Sequence, residues 1–134
     1  MSLSVVYTRA AIGVKAPLIS VEVHLSNGLP GLTLVGLPET TVKEARDRVR
    51  SAIINSGYAF PAKKITINLA PADLPKEGGR YDLPIAIALL AASEQLNTPG
   101  LSSCEFVGEL ALTGALRGVP GAISGALEAI RAGR

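Results

Sequence analysis

The sequence has almost no cysteine, histidine or tryptophan. The single cysteine, Cys104, cannot close an internal disulfide, and with one histidine, His24, there is no Cys/His cluster at metal-ligand spacing. A reducing cytoplasm is therefore the expected location. No tryptophan and 4% aromatic residues leave few platforms for stacked bases, which counts against an autonomous single-strand- or RNA-reading module. A net charge of +2 and a pI near 8.9 fall short of the dense positive charge that announces nucleic-acid binding, so any basic footprint has to be local. The longest apolar run, Leu83 to Ala92, contains Pro84 and is about half of what a bilayer span needs. The opening "MSLSVVYTRAAIG" is interrupted by Arg9 and too short for a signal peptide, and its first three residues suit an expression leader. No membrane partner is expected. Neither a G-x-x-x-x-G-K-[ST] phosphate loop nor a G-x-G-x-x-G turn occurs, so this chain is not expected to bind ATP by itself.

What the chain does have is aliphatic. At 134 residues and 13.8 kDa, with 48% hydrophobic residues, it is long enough for one domain around an Ala/Val/Ile/Leu core. "SVVYTRAAIG" and "LISVEVHLS" read as strands, the second with Val21, Val23 and Leu25 on one face and Glu22, His24 and Ser26 on the other. After the turn signal "SNG", the apolar "LPGLTLVGLP" reads as a third strand, which predicts an antiparallel meander. The period then changes. From Glu39 to Ser56, Val42, Ala45, Val49, Ala52 and Ile53 share one helical face, with Thr40 or Thr41 as N-cap and Gly57 as the stop. "KKITINL" is the next strand. Asp82 is placed as N-cap of a helix whose "IAIALLAAS" is apolar all round, as a helix packed on several sides should be. "EFVGELALTGALRGV" gives one or two strands broken at Gly114, and "GAISGALEAIRAG" a last helix capped at Gly133. The order implies α+β or mixed α/β, with about three helices covering a mixed sheet.

Several local sites present themselves. The glycine-rich turns "KEGGRYD" and "GVPGAISG" both lead into helices, where N–H groups can face an anion, although ordinary turn glycines are the commoner explanation of both. The segment from Asp73 to Asp82 contains no Ser, Thr or Cys, so a serine-lysine dyad lacks its nucleophile there. His24, alternating on a polar strand face, suits a surface role. The carboxylates of Asp73, Glu77 and Asp82 could suit Mg2+ by chemistry, but Lys76 and Arg80 stand ready to neutralise them. On the first helix Lys43, Arg46 and Arg50 form a basic stripe at i, i+3, i+7, while Glu44 and Arg48 have i,i+4 pairing distance. A solvated helix face is the commoner explanation of such a stripe. A phosphate or partner contact is the sharper one.

Three blocks, "VEVHLSNGLPGLTLVGLPETTVKEARDRVRSAIINSG", "ITINLAPADLPKEGGRYDLPIAIALLAAS" and "FVGELALTGALRGVPGA", closely resemble the N-terminal domain of the bacterial magnesium-chelatase-like AAA+ ATPases, the competence protein ComM family. The resemblance covers the chain from Val5 onward. It implies a domain spanning residues 4–134 with a fold like the second domain of ribosomal protein S5, shared with the Lon proteolytic domain. It further implies a downstream AAA+ module that binds ATP and Mg2+, a hexameric ring of neighbouring subunits, and DNA helicase activity in branch migration during natural transformation. For this part of the chain it implies no catalytic, cofactor or metal site. Lon-type enzymes carry their serine in a loop similar to "PKEGGRYD", where Arg80 stands here, and their lysine in a turn similar to "GAIS", where Ser124 stands. Both positions are changed, so a peptidase is disfavoured, and a stand-alone nucleic-acid module is the other alternative. Lys43, Arg46, Arg50, Lys76 and Arg80 are the expected contacts to DNA or to a partner, with Arg80 paired to Glu77 or Asp82 as the plain alternative.

Overall fold

A computed structural model describes residues 2–97 and 99–134, and Met1 lies outside them. The elements run β1 (Ser2–Arg9), β2 (Leu18–Ser26), β3 (Gly31–Val35), α1 (Glu39–Asn55), β4 (Lys64–Ala70), α2 (Asp82–Ala92), β5 (Glu109–Leu110), β6 (Leu116–Arg117) and α3 (Ala122–Arg131), with one 3-10 turn at Leu101–Ser103. Four strands form a sheet in the order β1-β2-β4-β3, and β5 and β6 form a separate hairpin. Mixed α+β architecture, a mixed sheet and three α-helices accord with an S5 domain 2-like fold.

Alternation dictates how the sheet is used. Val21, Val23 and Leu25 of β2 and Ile65, Ile67 and Leu69 of β4 point into one buried cluster, while Glu22, His24, Thr66 and Asn68 occupy the half-exposed face. Helix α2 lies across β1 and β2 and also meets α1 and β5. The all-round apolar sequence of α2 is thereby accounted for. Of the face expected on α1, Ala45, Val49, Ala52 and Ile53 are buried and Val42 is half-buried.

The meander fails at its third strand. β1 and β2 pair antiparallel in register Val6↔Val21, but β3 pairs parallel with β4, in register Leu34↔Ile67, and β4 takes the place beside β2. Parallel neighbours need a crossover, and α1 is that crossover. At the end of β3 the chain must cross close to β4. Gly36 there has φ +102°, and a β-carbon on it would collide with the Leu69 carbonyl. At the other end of the sequence, Ser2 and Leu3 pair with Leu25 and His24 and extend β1.

The caps differ too. Pro38 precedes α1 with no side-chain cap, so neither Thr40 nor Thr41 serves, and Glu39 in the first turn supplies the favourable negative charge. Gly57, with φ +88°, does end the helix, and Gly133, with φ +80°, closes α3.

Candidate functional site

Residues 71–81 connect β4 to α2, and of their charged side chains Asp73 and Glu77 are exposed while Lys76 and Arg80 turn inward. Lys76 is buried, and its Nζ donates to the carbonyls of Pro71 (2.6 Å) and Leu74 (3.0 Å). Burial lowers its pKa, and nearby Asp73 opposes that shift only in part. Arg80 is buried as well. Its Nε donates to the Arg9 carbonyl (3.1 Å) and its Nη1 to that of Pro120 (2.7 Å), tying the loop to the end of β1 and the start of α3. Arg80 therefore pairs with neither Glu77 nor Asp82. Lys76 and Arg80, expected as contact residues, lie beneath the surface because long cationic side chains reach inward carbonyls, those of the loop itself for Lys76 and those of Arg9 and Pro120 for Arg80.

Asp82 also departs from expectation. It is the first residue of α2 after Tyr81, makes no capping bond, and is fully buried. Its carboxylate accepts from Arg48 of α1 through Nε (2.7 Å) and Nη2 (3.2 Å), and from the Leu110 N–H of β5 (3.1 Å). This hub fixes α1, α2 and the hairpin against one another. Burial pushes the Asp82 carboxyl up against the pull of the Arg48 fork, while the Asp82 hydrogen bond raises Arg48. Arg48 also reaches Glu44 at 3.6 Å, the i,i+4 pair read from sequence, but Asp82 is its closer partner. Among the described residues no group of three Asp, Glu, His or Cys side chains could hold a metal ion.

A second hub gave no local signal. Glu105 accepts a fork from Arg9 (2.7 and 3.0 Å) and a bond from Arg134 (2.9 Å), whose guanidinium also stacks over Tyr7 at 4.6 Å. Burial works to raise the Glu105 pKa, but the two guanidinium groups prevail and hold it below the ordinary carboxylate value. The cluster secures the end of α3 to β1, across a separation of 96 residues between Arg9 and Glu105 that no pattern of spacing could show.

The basic stripe of α1 is exposed as expected. Lys43, Arg46 and Arg50 face outward, and Arg46 and Arg50 border a cleft of about 470 Å³ with Lys63, Phe60, Pro30 and Gly31. Arg50 lies 5.3 Å from the centre of the Phe60 ring, a cation-π contact that orients the guanidinium along this cleft. The loop before α2 and the start of α3, which in a Lon-type site would carry serine and lysine, do adjoin through Arg80 and Pro120. Their chemistry is an arginine donating to backbone and a serine, Ser124, inside the first turn of α3.

Comparison with known proteins then settles the family. Residues 21–134 match the family model described as subunit ChlI of Mg-chelatase. The chain belongs to the ChlI family. Along its full length this ChlI-family chain is 84% identical to YifB of Salmonella typhimurium and 66% identical to competence protein ComM of Haemophilus influenzae. A protein of Mycobacterium bovis is 38% identical over 133 residues. The chain spans about a quarter of the length of these curated relatives, 26% in each case. Among the described residues no helix is long and apolar enough to cross a membrane.

Proposed function

We propose that this chain is a non-catalytic N-terminal domain of a magnesium-chelatase-like AAA+ ATPase, and that it serves assembly of the ring while a separate module binds ATP with Mg2+. The observation that carries this reading is the outer face of α3. Ile123, Leu127 and Ile130, at i, i+4, i+7, are 80%, 52% and 70% exposed, whereas the smaller Gly125 and Ala129 turn toward the body. A stripe of large aliphatic side chains held outward is the pattern of a helix made to be covered. The relatives run about four times the length of this chain, and that additional chain, the ATPase module, is the occupant we assign. The loop before α2 supports the non-catalytic part of the reading. Arg80 occupies the place of a nucleophile and is already engaged, and residues 73–82 contain no hydroxyl or thiol apart from the phenol of Tyr81.

A second reading, engagement of DNA, is favoured by the α1 cleft, where Arg46, Arg50 and Lys63 supply charge and Phe60 a ring. Two triple variants of a full-length relative separate the readings. Changing Ile123, Leu127 and Ile130 to Ser should dissociate the ring in native mass spectrometry and reduce ATPase activity, while Lys43, Arg46 and Arg50 changed to Ala should leave the ring intact and weaken salt-sensitive DNA binding. A ring unaffected by the first set would overturn the assembly role, and DNA affinity unaffected by the second would overturn the DNA contact. Helicase action in branch migration, natural transformation and a cytoplasmic setting belong to the same proposal and are tested in the full-length protein.

A further inference from the structure

The two edges of the main sheet are finished differently. On the outer side of β1, Glu105 forms a parallel bridge with Tyr7, and the Phe106 N–H donates to the Tyr7 carbonyl (3.0 Å). β3 forms the other edge, with β4 as its strand neighbour. The Gly31 N–H donates to the Lys63 carbonyl (3.3 Å), and the parallel register Gly31↔Lys64, Thr33↔Thr66, Val35↔Asn68 continues that pattern without a bulge. Backbone direction alternates along a strand, so Gly31, Thr33 and Val35 direct their polar groups at β4 while Leu32 and Leu34 turn theirs outward. Among the described residues no hydrogen bond reaches the outward N–H and C=O groups of Leu32 and Leu34. Sheet edges are ordinarily blunted against a further strand by charge, by proline within the strand or by a bulge. β3 has none of these. No charged residue occurs from Ser26 to Pro38, and Pro30 and Gly36 stand outside the strand. The side chains of Leu32 and Leu34 pack half-buried against the core, in register with Ile65 and Ile67.

We propose that the free edge of β3 receives one further strand, a short extended segment of an acidic polypeptide partner. The backbone sets the form of the partner, because N–H and C=O groups at strand spacing are matched in register by another extended chain. Charge sets its composition. The cleft bordered by Gly31 and Leu32 also holds Arg46, Arg50 and Lys63 against the single carboxylate of Asp47. A strand laid along β3 brings its side chains beside that net positive charge, which favours Asp or Glu opposite Leu32. At the other end, Leu34 and its neighbour Ile67 continue the core, which favours an aliphatic side chain there. A second copy of this chain is a poorer occupant. Its own β3 would arrive with the same arginines and lysine, and like charges would face each other across the new pairing. The inference does not use the apolar face of α3, so its failure would leave the proposed assembly role standing. It shares Arg46 and Arg50 with the DNA reading, and peptide and DNA are told apart by the amides they shift.

Titration of the 15N-labelled chain followed by amide chemical shifts provides the test, with acetyl-Glu-Thr-Val-Thr-Glu-amide as the probe. Its controls are the peptide with both Glu replaced by Lys, the peptide N-methylated at Val, and a single-stranded oligothymidylate. The Glu peptide should give saturable shifts at the Leu32 and Leu34 amides and slow their hydrogen exchange. The Lys peptide and the N-methylated peptide should each bind at least about tenfold more weakly. Arg46→Gln combined with Arg50→Gln should cut the preference for Glu over Lys several-fold while the Leu34 shift persists, since these exposed side chains leave the β3–β4 ladder untouched. No saturable shift at Leu32 and Leu34, equal binding of the Lys or N-methylated peptide, or an unchanged preference in the double variant would each overturn the assignment. So would larger shifts of the same two amides on raising the concentration of the chain alone, which would give the edge to a second copy, or with oligothymidylate, which would give it to DNA.

Discussion

Helices α2 and α3 are of nearly equal length, 11 and 10 residues, and both are built largely from Ala, Ile and Leu, yet eight residues of α2 are buried and none of α3. The difference is one of neighbours. α2 is enclosed by β1, β2, α1 and β5, so apolar groups on every side find a partner. α3 rests on the body only through Ser124, Gly125, Glu128 and Ala129, all half-buried, and turns its large aliphatic groups away. The same kind of sequence therefore forms core in one place and an exposed apolar face in the other.

The comparison can be broken most forcefully at the base of α2. Replacing Arg48 by Leu leaves the fully buried Asp82 carboxylate without its partner and should cost about 3–5 kcal/mol in urea unfolding at neutral pH. Burial already holds the Asp82 carboxyl above its usual value. A raised folded value stabilises the fold at low pH and loses that effect as pH rises through it, so the Arg48→Leu penalty should shrink on acidification. A penalty independent of pH would show that Asp82 stays neutral. Leu89→Ala, at a fully buried position of α2, should cost about 3 kcal/mol, through lost transfer energy and a residual cavity.

Glu105 brings α3 into the same test. Its folded pKa is held below the ordinary value, so its contribution is fully present above about pH 4.5 and is lost as pH falls through the folded value. Glu105→Gln should destabilise by about 1–3 kcal/mol at pH 7 and flatten the acid limb of the stability profile. An unchanged acid limb would assign acid sensitivity elsewhere. The smallest effect is expected on the outer face of α3. Leu127→Ala should change stability by less than about 1 kcal/mol, since the side chain is 52% exposed, and a loss approaching that of Leu89→Ala would erase the contrast between the helices.

Much of the architecture is legible in local sequence. The period-2 alternation of β2 and the 3.6-residue face of α1 identify both elements, because each pattern is set by backbone geometry acting on its own residues. β3 shows where that reasoning stops. "GLTLV" reads as a strand, but nothing within it states whether β2 or β4 is its neighbour, and the crossover through α1 decides for β4. The candidate site divides along the same line. The exposed Lys43, Arg46 and Arg50 follow from helical spacing alone, since solvent-facing positions need no partner. The inward placement of Lys76 and Arg80 does not, because their acceptors are the carbonyls of Pro71, Leu74, Arg9 and Pro120, which the folded chain brings together.

By itself, the sequence determined the element types, the apolar core residues, the missing nucleophile before α2 and the resemblance that the family match bears out. Only the tertiary structure decided the parallel place of β3, the pairing of Asp82 with Arg48 and of Glu105 with Arg9 and Arg134, and the inward placement of Arg80. The physical reason is range. Periodicity and turn chemistry act over a few residues, whereas an ion pair or a buried guanidinium is defined by groups 29 to 96 positions apart that meet only when the core closes.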